Sequence, residues 1–534
     1  MSCLSTHRRW AVSALVRNCG CLAFGLAALL VAGCGQGPQA EFSLRATTED
    51  LLPDAQKAAK KALKDAFGTP QDLVAWKRFP VNYGGVNGTV GEPVAGAKGV
   101  TVTWDGDAAE VITGAPLMWL TGPRADAKTS ADSVGKYDPT TKQLTWSGSA
   151  EPAPAAGDKF VVGFGQSLQS GRHVYMKNCM HCHGVSGDGA GPTAKYLNPL
   201  PRDYRLGLFK FTSTLNPEKP TRDDLTRIVK YGIPGTYMPS FLWLGDKETV
   251  SVVDYVRWLA MRGEFEKRLA DDLTGEYSQK SVDLAAKKAL DAYNEQIAAA
   301  QHWEERAKLA AAAGSEEKLA EFDKKHPSVK DMAEKPGKPE KAKTANTLKN
   351  EAKAAFAEYE KEELATLIDE TATVIAGRWT QGEDPASLVV PSVARVTDDA
   401  ASRERGRRIY LSDKGKCYTC HGIQGRGDGT STEEFWKVEG TSEYYPRRGL
   451  HDSWGHPLAP RNLTLGQYRG GRRPVDVFRR IYAGIKGTPM PAFGKTALKD
   501  EEIWDVVNYV MSLQYQSAPA PAKTKSADHV ATSK

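Results

Sequence analysis

The chain has 534 residues, of which 40% are hydrophobic and 25% charged, and its formal net charge is +6. That length exceeds what one hydrophobic core organises, so several domains are expected. So mild a positive charge over so many residues gives no case for nucleic acid as a partner.

Residues 1–33 read as an export signal of the lipoprotein type. His7, Arg8, Arg9 and Arg17 form a basic region, and Leu22 to Ala32 is an apolar run too short to span a bilayer permanently. The run ends Leu30-Val31-Ala32-Gly33-Cys34, which resembles the bacterial lipobox. That resemblance implies cleavage before Cys34, lipidation of Cys34 and a mature protein anchored on the periplasmic side of a bacterial membrane; the other reading is a plain cleavable signal with an incidental cysteine. No later segment has the roughly 20 apolar residues of a spanning helix.

Residues 34–80 are expected to hold a tether and a helix over 49–68, with Pro53 near its first turn and Gly68 and Pro70 as the stop. From 81 to 165 the texture changes to glycine-rich turns and runs such as Val100-Thr101-Val102-Thr103-Trp104, which predict a small β-rich module. It contains no histidine or cysteine, so a blue-copper site is excluded and a packing or docking role is expected.

Two stretches then carry the chemistry. Cys179-Met180-His181-Cys182-His183 returns as Cys417-Tyr418-Thr419-Cys420-His421. Two thiols spaced to meet the two vinyl groups of one porphyrin, with a histidine next to reach its iron, form the attachment pattern of c-type haem. A zinc site would want a second ligand pair at finger-like spacing, and a dithiol redox site has no use for the adjacent histidine twice. Two covalent haem c groups are therefore expected, held by Cys179, Cys182, Cys417 and Cys420, with His183 and His421 as iron ligands. The other four cysteines, Cys3, Cys19, Cys21 and Cys34, all lie near the amino terminus, so no structural disulfide is expected.

The repeat extends beyond the cysteines. Gly171-Arg172-His173-Val174-Tyr175 matches Gly406-Arg407-Arg408-Ile409-Tyr410, and Pro201-Arg202-Asp203 matches Pro460-Arg461-Asn462. Gly235-Thr236-Tyr237-Met238-Pro239 matches Gly487-Thr488-Pro489-Met490-Pro491, and each half closes on an amphipathic helix containing Tyr255 or Tyr509. On these motifs both halves, 167–263 and 401–513, resemble class I cytochrome c domains, over about 210 residues of the chain. The fold expected is mainly α, with the β module and a helical insertion added.

The resemblance implies that Gly171 and Gly406 allow a close helix crossing near Tyr255 and Tyr509, which could equally be plain core. It also implies that the sixth iron ligand comes from the loop carrying Met238 in one half and Met490 in the other. The alternative is a buried methionine beside an open iron. Arg202 and Arg461 suit haem propionates by their planar guanidinium, or surface salt bridges. An insertion in the second half, Thr432 to Leu458, carries Trp436, Tyr444, Tyr445, His451, Trp454 and His456; it is expected to shield a haem edge or shape a partner surface, or to supply His451 or His456 in place of Met490.

Between the halves, 264–370 is rich in Ala, Glu and Lys and reads as a helical hairpin, with Leu290, Tyr293, Ile297 and Ala300 on one face and His302 and His326 as solvated side chains. Residues 371–400 are expected to be a linker and 514–534 a disordered tail. The function expected is single-electron transfer to or within a membrane respiratory complex, an oxidase or a quinol-oxidising complex, and not catalysis. The alternative is a dihaem redox enzyme, peroxidase-like or thiosulfate-oxidising.

Overall fold

A computed structural model of the protein describes residues 40–516, apart from 94–98, 107, 109–110, 127–131, 149–150 and 495. The signal segment, Cys34 and most of the tail lie outside the described residues. No helix among them is long and apolar enough to cross a membrane.

Helix α1, Pro53–Phe67, starts on a proline at its first turn and stops at Gly68. Ala55, Ala58, Ala59, Ala62, Leu63 and Ala66 are buried, three or four apart, and these small side chains let the helix lie close on its neighbour. Next come six strands: β1 Val86–Pro93, β2 Gly99–Trp104, β3 Pro116–Trp119, β4 Asp132–Asp138, β5 Gln143–Ser147 and β6 Lys159–Val162. They pair antiparallel in the order β1-β2-β5-β4-β3-β6 and close into a barrel. Alternation decides the faces: Val100 and Val102 point in with Leu144, Trp146 and Phe160, while Thr101 and Thr103 point out. Closure leaves no free edge in this module.

The first helical unit follows from the barrel. Helix α2 is Gln166–Asn178, α3 Met180–His183, α4 Arg222–Tyr231 and α5 Asp246–Tyr277. The domain boundary expected at Gly263 thus falls inside one uninterrupted helix of 32 residues. Ser278 breaks it, its hydroxyl accepting from the Ser281 amide, and α6 runs on over Gln279–Ala311. Helices α7, Ala345–Glu362, and α8, Leu364–Gln381, return the chain along α6 and α5.

Two expectations fail in this region. On the expected face of α6, Tyr293, Ile297 and Ala300 are half-buried and Leu290 is exposed, because α6 is covered only in part. His302 and His326 are half-buried and pack on each other, ring centroids 3.8 Å apart, with Phe322 beside them. The linker expected from 371 is helical to Gln381 and carries Trp379 fully buried in the first core.

The second helical unit has α9, Ala400–Leu411, α10, Cys417–His421, α11, Pro474–Ala483, and α12, Asp500–Ser512. It has its own core around Tyr410, Phe478, Ile503, Trp504 and Val507. Ion pairs and hydrogen bonds join the two units: Arg227 to Asp476 at 2.8 Å, the Arg480 guanidinium to the Thr212 carbonyl at 2.8 Å, and the Lys486 ammonium to the Thr214 hydroxyl at 2.7 Å.

Candidate functional site

In each unit the helix before the cysteines crosses the closing helix at a glycine. A Cβ on Gly171 would lie 2.0 Å from the Ser251 carbonyl oxygen, and one on Gly406 2.0 Å from the Asp505 carbonyl oxygen. Any larger residue would force the helices apart. Tyr255 and Tyr509 flank the crossings, each 2.9 Å from that hypothetical atom at its own Cβ, and both are buried.

Beside each crossing stands a tyrosine whose role the sequence reading missed. The Tyr175 hydroxyl donates to the Gly184 carbonyl at 2.8 Å, and Tyr410 donates to Gly422 at 2.7 Å. Each ties the residue after the histidine back to the preceding helix, fixing the turn that carries both thiols. The signal was available, since both tyrosines occupy the same place in the repeat.

The thiols of Cys179, Cys182, Cys417 and Cys420 are half-buried and form no disulfide. Burial pushes the Cys179 and Cys417 thiols up to about 12, which keeps both protonated at neutral pH rather than as nucleophilic thiolates. The His183 Nδ1 lies 3.2 Å from the Arg202 carbonyl oxygen, and the His421 Nδ1 3.1 Å from that of Arg461. A carbonyl only accepts, so Nδ1 carries the proton and Nε2 keeps its lone pair for a metal. Burial also lowers the affinity of both imidazoles for a second proton, that of His183 to about 4, which keeps the ligand neutral. Tyr204 stacks on His183 at 4.8 Å; the second unit has Leu463 at the matching place in the repeat.

The methionine loops agree bond for bond. The Thr236 hydroxyl accepts from the Met238 amide at 3.1 Å and donates to the Ile233 carbonyl, and the Ile233 amide donates to the Met238 carbonyl. Thr488, Met490 and Ile485 repeat this pattern, with the Met490 amide 3.2 Å from the Thr488 hydroxyl. In the first unit a cavity of about 520 Å³ opens between Cys179, Cys182 and His183 on one side and Met238 on the other. Its walls include Leu225, Val253, Val256 and Phe241, an apolar slot suited to a planar macrocycle. The donor set, tautomers and walls fit a covalently attached haem.

The two arginines are not equivalent. Arg461 is committed within its own unit, its guanidinium donating to the Gln467 carbonyl at 2.9 Å and side chain at 2.7 Å. Arg202 lines the cavity and lies 3.9 Å over the ring of Trp454, with no carboxylate in ion-pair reach among the described residues. Trp454 belongs to the insertion of the second repeat, so that insertion reaches the first site, while Ser453 stays tied to its own unit by donating to the Gly487 carbonyl before the Met490 loop. His456 lines the first cavity as well, while His451 stacks on Tyr445 at 3.9 Å and donates from Nδ1 to the Gly449 carbonyl.

Residues 403–514 match the family described as Cytochrome c, and residues 166–256 match Cytochrome C oxidase, cbb3-type, subunit III. No curated protein matches the chain. A chain of the reducing HAO-like protein complex of Kuenenia stuttgartiensis is 22% identical over 65% of this chain and 96% of that one, with a TM-score of 0.36.

Proposed function

The chain is a c-type cytochrome with two class I haem domains, and on that premise we propose that it relays single electrons between membrane-bound redox partners while held by a lipid at Cys34 on the periplasmic side of a bacterial membrane. Haem c, when bound, supplies the one-electron ferric/ferrous couple. Cys179 and Cys182 hold one group covalently and Cys417 and Cys420 the other. His183 and His421, oriented through Nδ1 by backbone carbonyls, would hold the irons together with Met238 and Met490. A thioether ligand would favour the ferrous form, and two fixed protein ligands would suit electron exchange without bond breaking.

The observation that carries this reading is the identity of the two methionine loops, in which a threonine hydroxyl pins the methionine amide in both domains. An enzyme of the peroxidase or thiosulfate-oxidising kind needs one iron with an open or exchangeable position, and equivalent straps favour two closed ones. The partners proposed are a respiratory oxidase and a quinol-oxidising complex.

The test is absorption and electron paramagnetic resonance of the haem-loaded protein, oxidised and then half-reduced. Two low-spin irons are expected, each showing the far-red methionine-to-iron band, one losing it in Met238→Ala and the other in Met490→Ala. One high-spin iron, or one that sheds its methionine on partial reduction, overturns the carrier reading in favour of the enzyme. Anchoring is tested separately: Cys34→Ser should move the protein from the membrane fraction to the soluble periplasm.

A further inference from the structure

The first haem cavity is built from both domains. The short strands Leu450–His451 and Pro457–Leu458 pair antiparallel and hold a tight loop whose Trp454 and His456 amides both donate to the Asp452 carboxylate at 3.1 Å. This loop reaches out of the second domain. Asp452 pairs with Lys210 of the first at 3.0 Å, and the Trp454 ring lies under the Arg202 guanidinium. Arg469, also of the second domain, lines the same cavity and donates to the Gly235 carbonyl in the loop before Met238.

Two donors here are left without acceptors. Trp454 Nε1 and Arg469 Nε are both buried, and neither finds a hydrogen-bond partner. A buried donor with no acceptor is costly, and more so when charged, so their place at the wall of a cofactor cavity calls for an acceptor inside it. Charge agrees. Arg202, Lys210, Arg447 and Arg469 line this end against Asp452 and Asp203, and Asp203 is already paired with Arg205 at 2.9 Å. The end of the cavity is therefore cationic, and a porphyrin tethered through Cys179 and Cys182 brings two carboxylates of its own.

We propose that the second domain completes the first haem site: Trp454 Nε1–H and Arg469 Nε–H donate to the propionates of the haem carried by Cys179 and Cys182, with Arg202 as their counter-ion. The repeat is asymmetric in this respect, because Arg461, the counterpart of Arg202, is bound to Gln467. Haem in the first domain then ties the two domains together, and its propionate edge faces the second domain rather than solvent. The inference rests on haem occupancy of the first domain and not on whether the chain is a carrier or an enzyme.

Trp454→Phe keeps the ring under Arg202 and removes only the N–H. In reduced-minus-oxidised infrared difference spectra of the holoprotein it should shift the propionate carboxylate bands of one haem, the one missing from a Cys179→Ala, Cys182→Ala variant. Arg469→Leu removes a cation beside that haem and disfavours its ferrous form, so one wave of a potentiometric titration should move to lower potential while the other stays. Unchanged infrared bands in Trp454→Phe, or shifts confined to the haem of the second domain, overturn the proposal. Should Arg469→Leu fail to fold, the Trp454→Phe spectra decide alone. Neither result alters the count of low-spin irons, so the proposal and the carrier reading fail separately.

Discussion

Helix α12 closes the second haem domain in 13 residues, whereas its counterpart α5 in the first runs for 32. The shared portion does the same work in both: it meets a glycine on the preceding helix and packs a tyrosine beside the crossing. The difference lies on the outer face. In α12 the polar residues there are buried as well, but they bond within their own unit and the segment leading into it, Asp505 to Ser402 and Arg405, and Asn508 to Arg395. In α5 the outer face carries Asp254, Arg257, Arg262, Glu264 and Glu266, every one of them buried.

Neighbouring loops of the same unit and chain from outside it share in burying them. Thr48 donates to Glu266 at 2.9 Å, Phe42 lies under Arg262, Arg222 pairs with Asp254 at 2.9 Å, Lys219 pairs with Glu264 at 2.5 Å, and Arg257 pairs with Glu383. Trp379 of α8 donates to Glu264 at 2.7 Å. Burial raises the Asp254 pKa against the pull of Arg222, so the carboxylate depends on its partners to stay charged. Two copies of one fold thus sit in different surroundings: one is sheathed by the amino-terminal helix and the returning insertion, the other stands with little cover beyond its own elements. The comparison teaches that the haem clasp is self-sufficient and that the sheath is an addition particular to the first domain.

The largest effects should strike both domains alike. Gly171→Ala and Gly406→Ala each place a Cβ inside a backbone oxygen, and each should cost about 4 kcal/mol or more. Haem quantified after maturation should fall to one per chain in either variant; retention of both would show that the crossings can relax and that the clasp is looser than its geometry.

Trp379→Ala should separate the domains. Truncating a fully buried tryptophan costs about 3 to 5 kcal/mol and leaves Glu264 with one donor fewer. Denaturation followed at the Soret band should show the transition of the first haem moving to lower denaturant while that of the second holds. If both move together, the domains unfold as one cooperative unit and the sheath serves both.

A smaller asymmetry is expected at the proximal face. Tyr204→Leu gives the first domain the residue the second has, and loss of the ring stacked on His183 should cost about 1 to 2 kcal/mol. The same denaturation experiment reads it, again in the first haem transition only.

The smallest effect is one of pH at the contact between the domains. Lys486 is buried there, and burial lowers its pKa from 10.5 to about 7 despite the nearby carboxylates of Asp224 and Glu218. The folded protein therefore holds fewer protons than the unfolded chain between pH 7 and 10.5, so stability rises with pH across that window and is least below about 7. A gain on the order of 1 kcal/mol is expected between pH 7 and 9, and it should vanish in Lys486→Met. A flat pH profile in the parent protein would mean that Lys486 stays charged at the interface.

By itself the sequence determined whatever is local in the chain. The attachment motifs, the methionine loops and the glycine–tyrosine crossings all stand within a few residues of the chemistry they serve, and duplication printed each of them twice. The β module was legible because alternation of β-branched residues follows directly from the pleat. Tertiary structure decided the rest. The charged residues on α5 have the pattern of a solvated helix face, and only the packing of α1, residues 42–48 and α8 over them makes it an interior. Trp454 reads as part of an insertion belonging to the second haem, yet it lies over the first. The reach of that loop depends on how two separately folded domains dock, and docking is set by surfaces brought together from distant parts of the chain, which no local pattern of residues encodes.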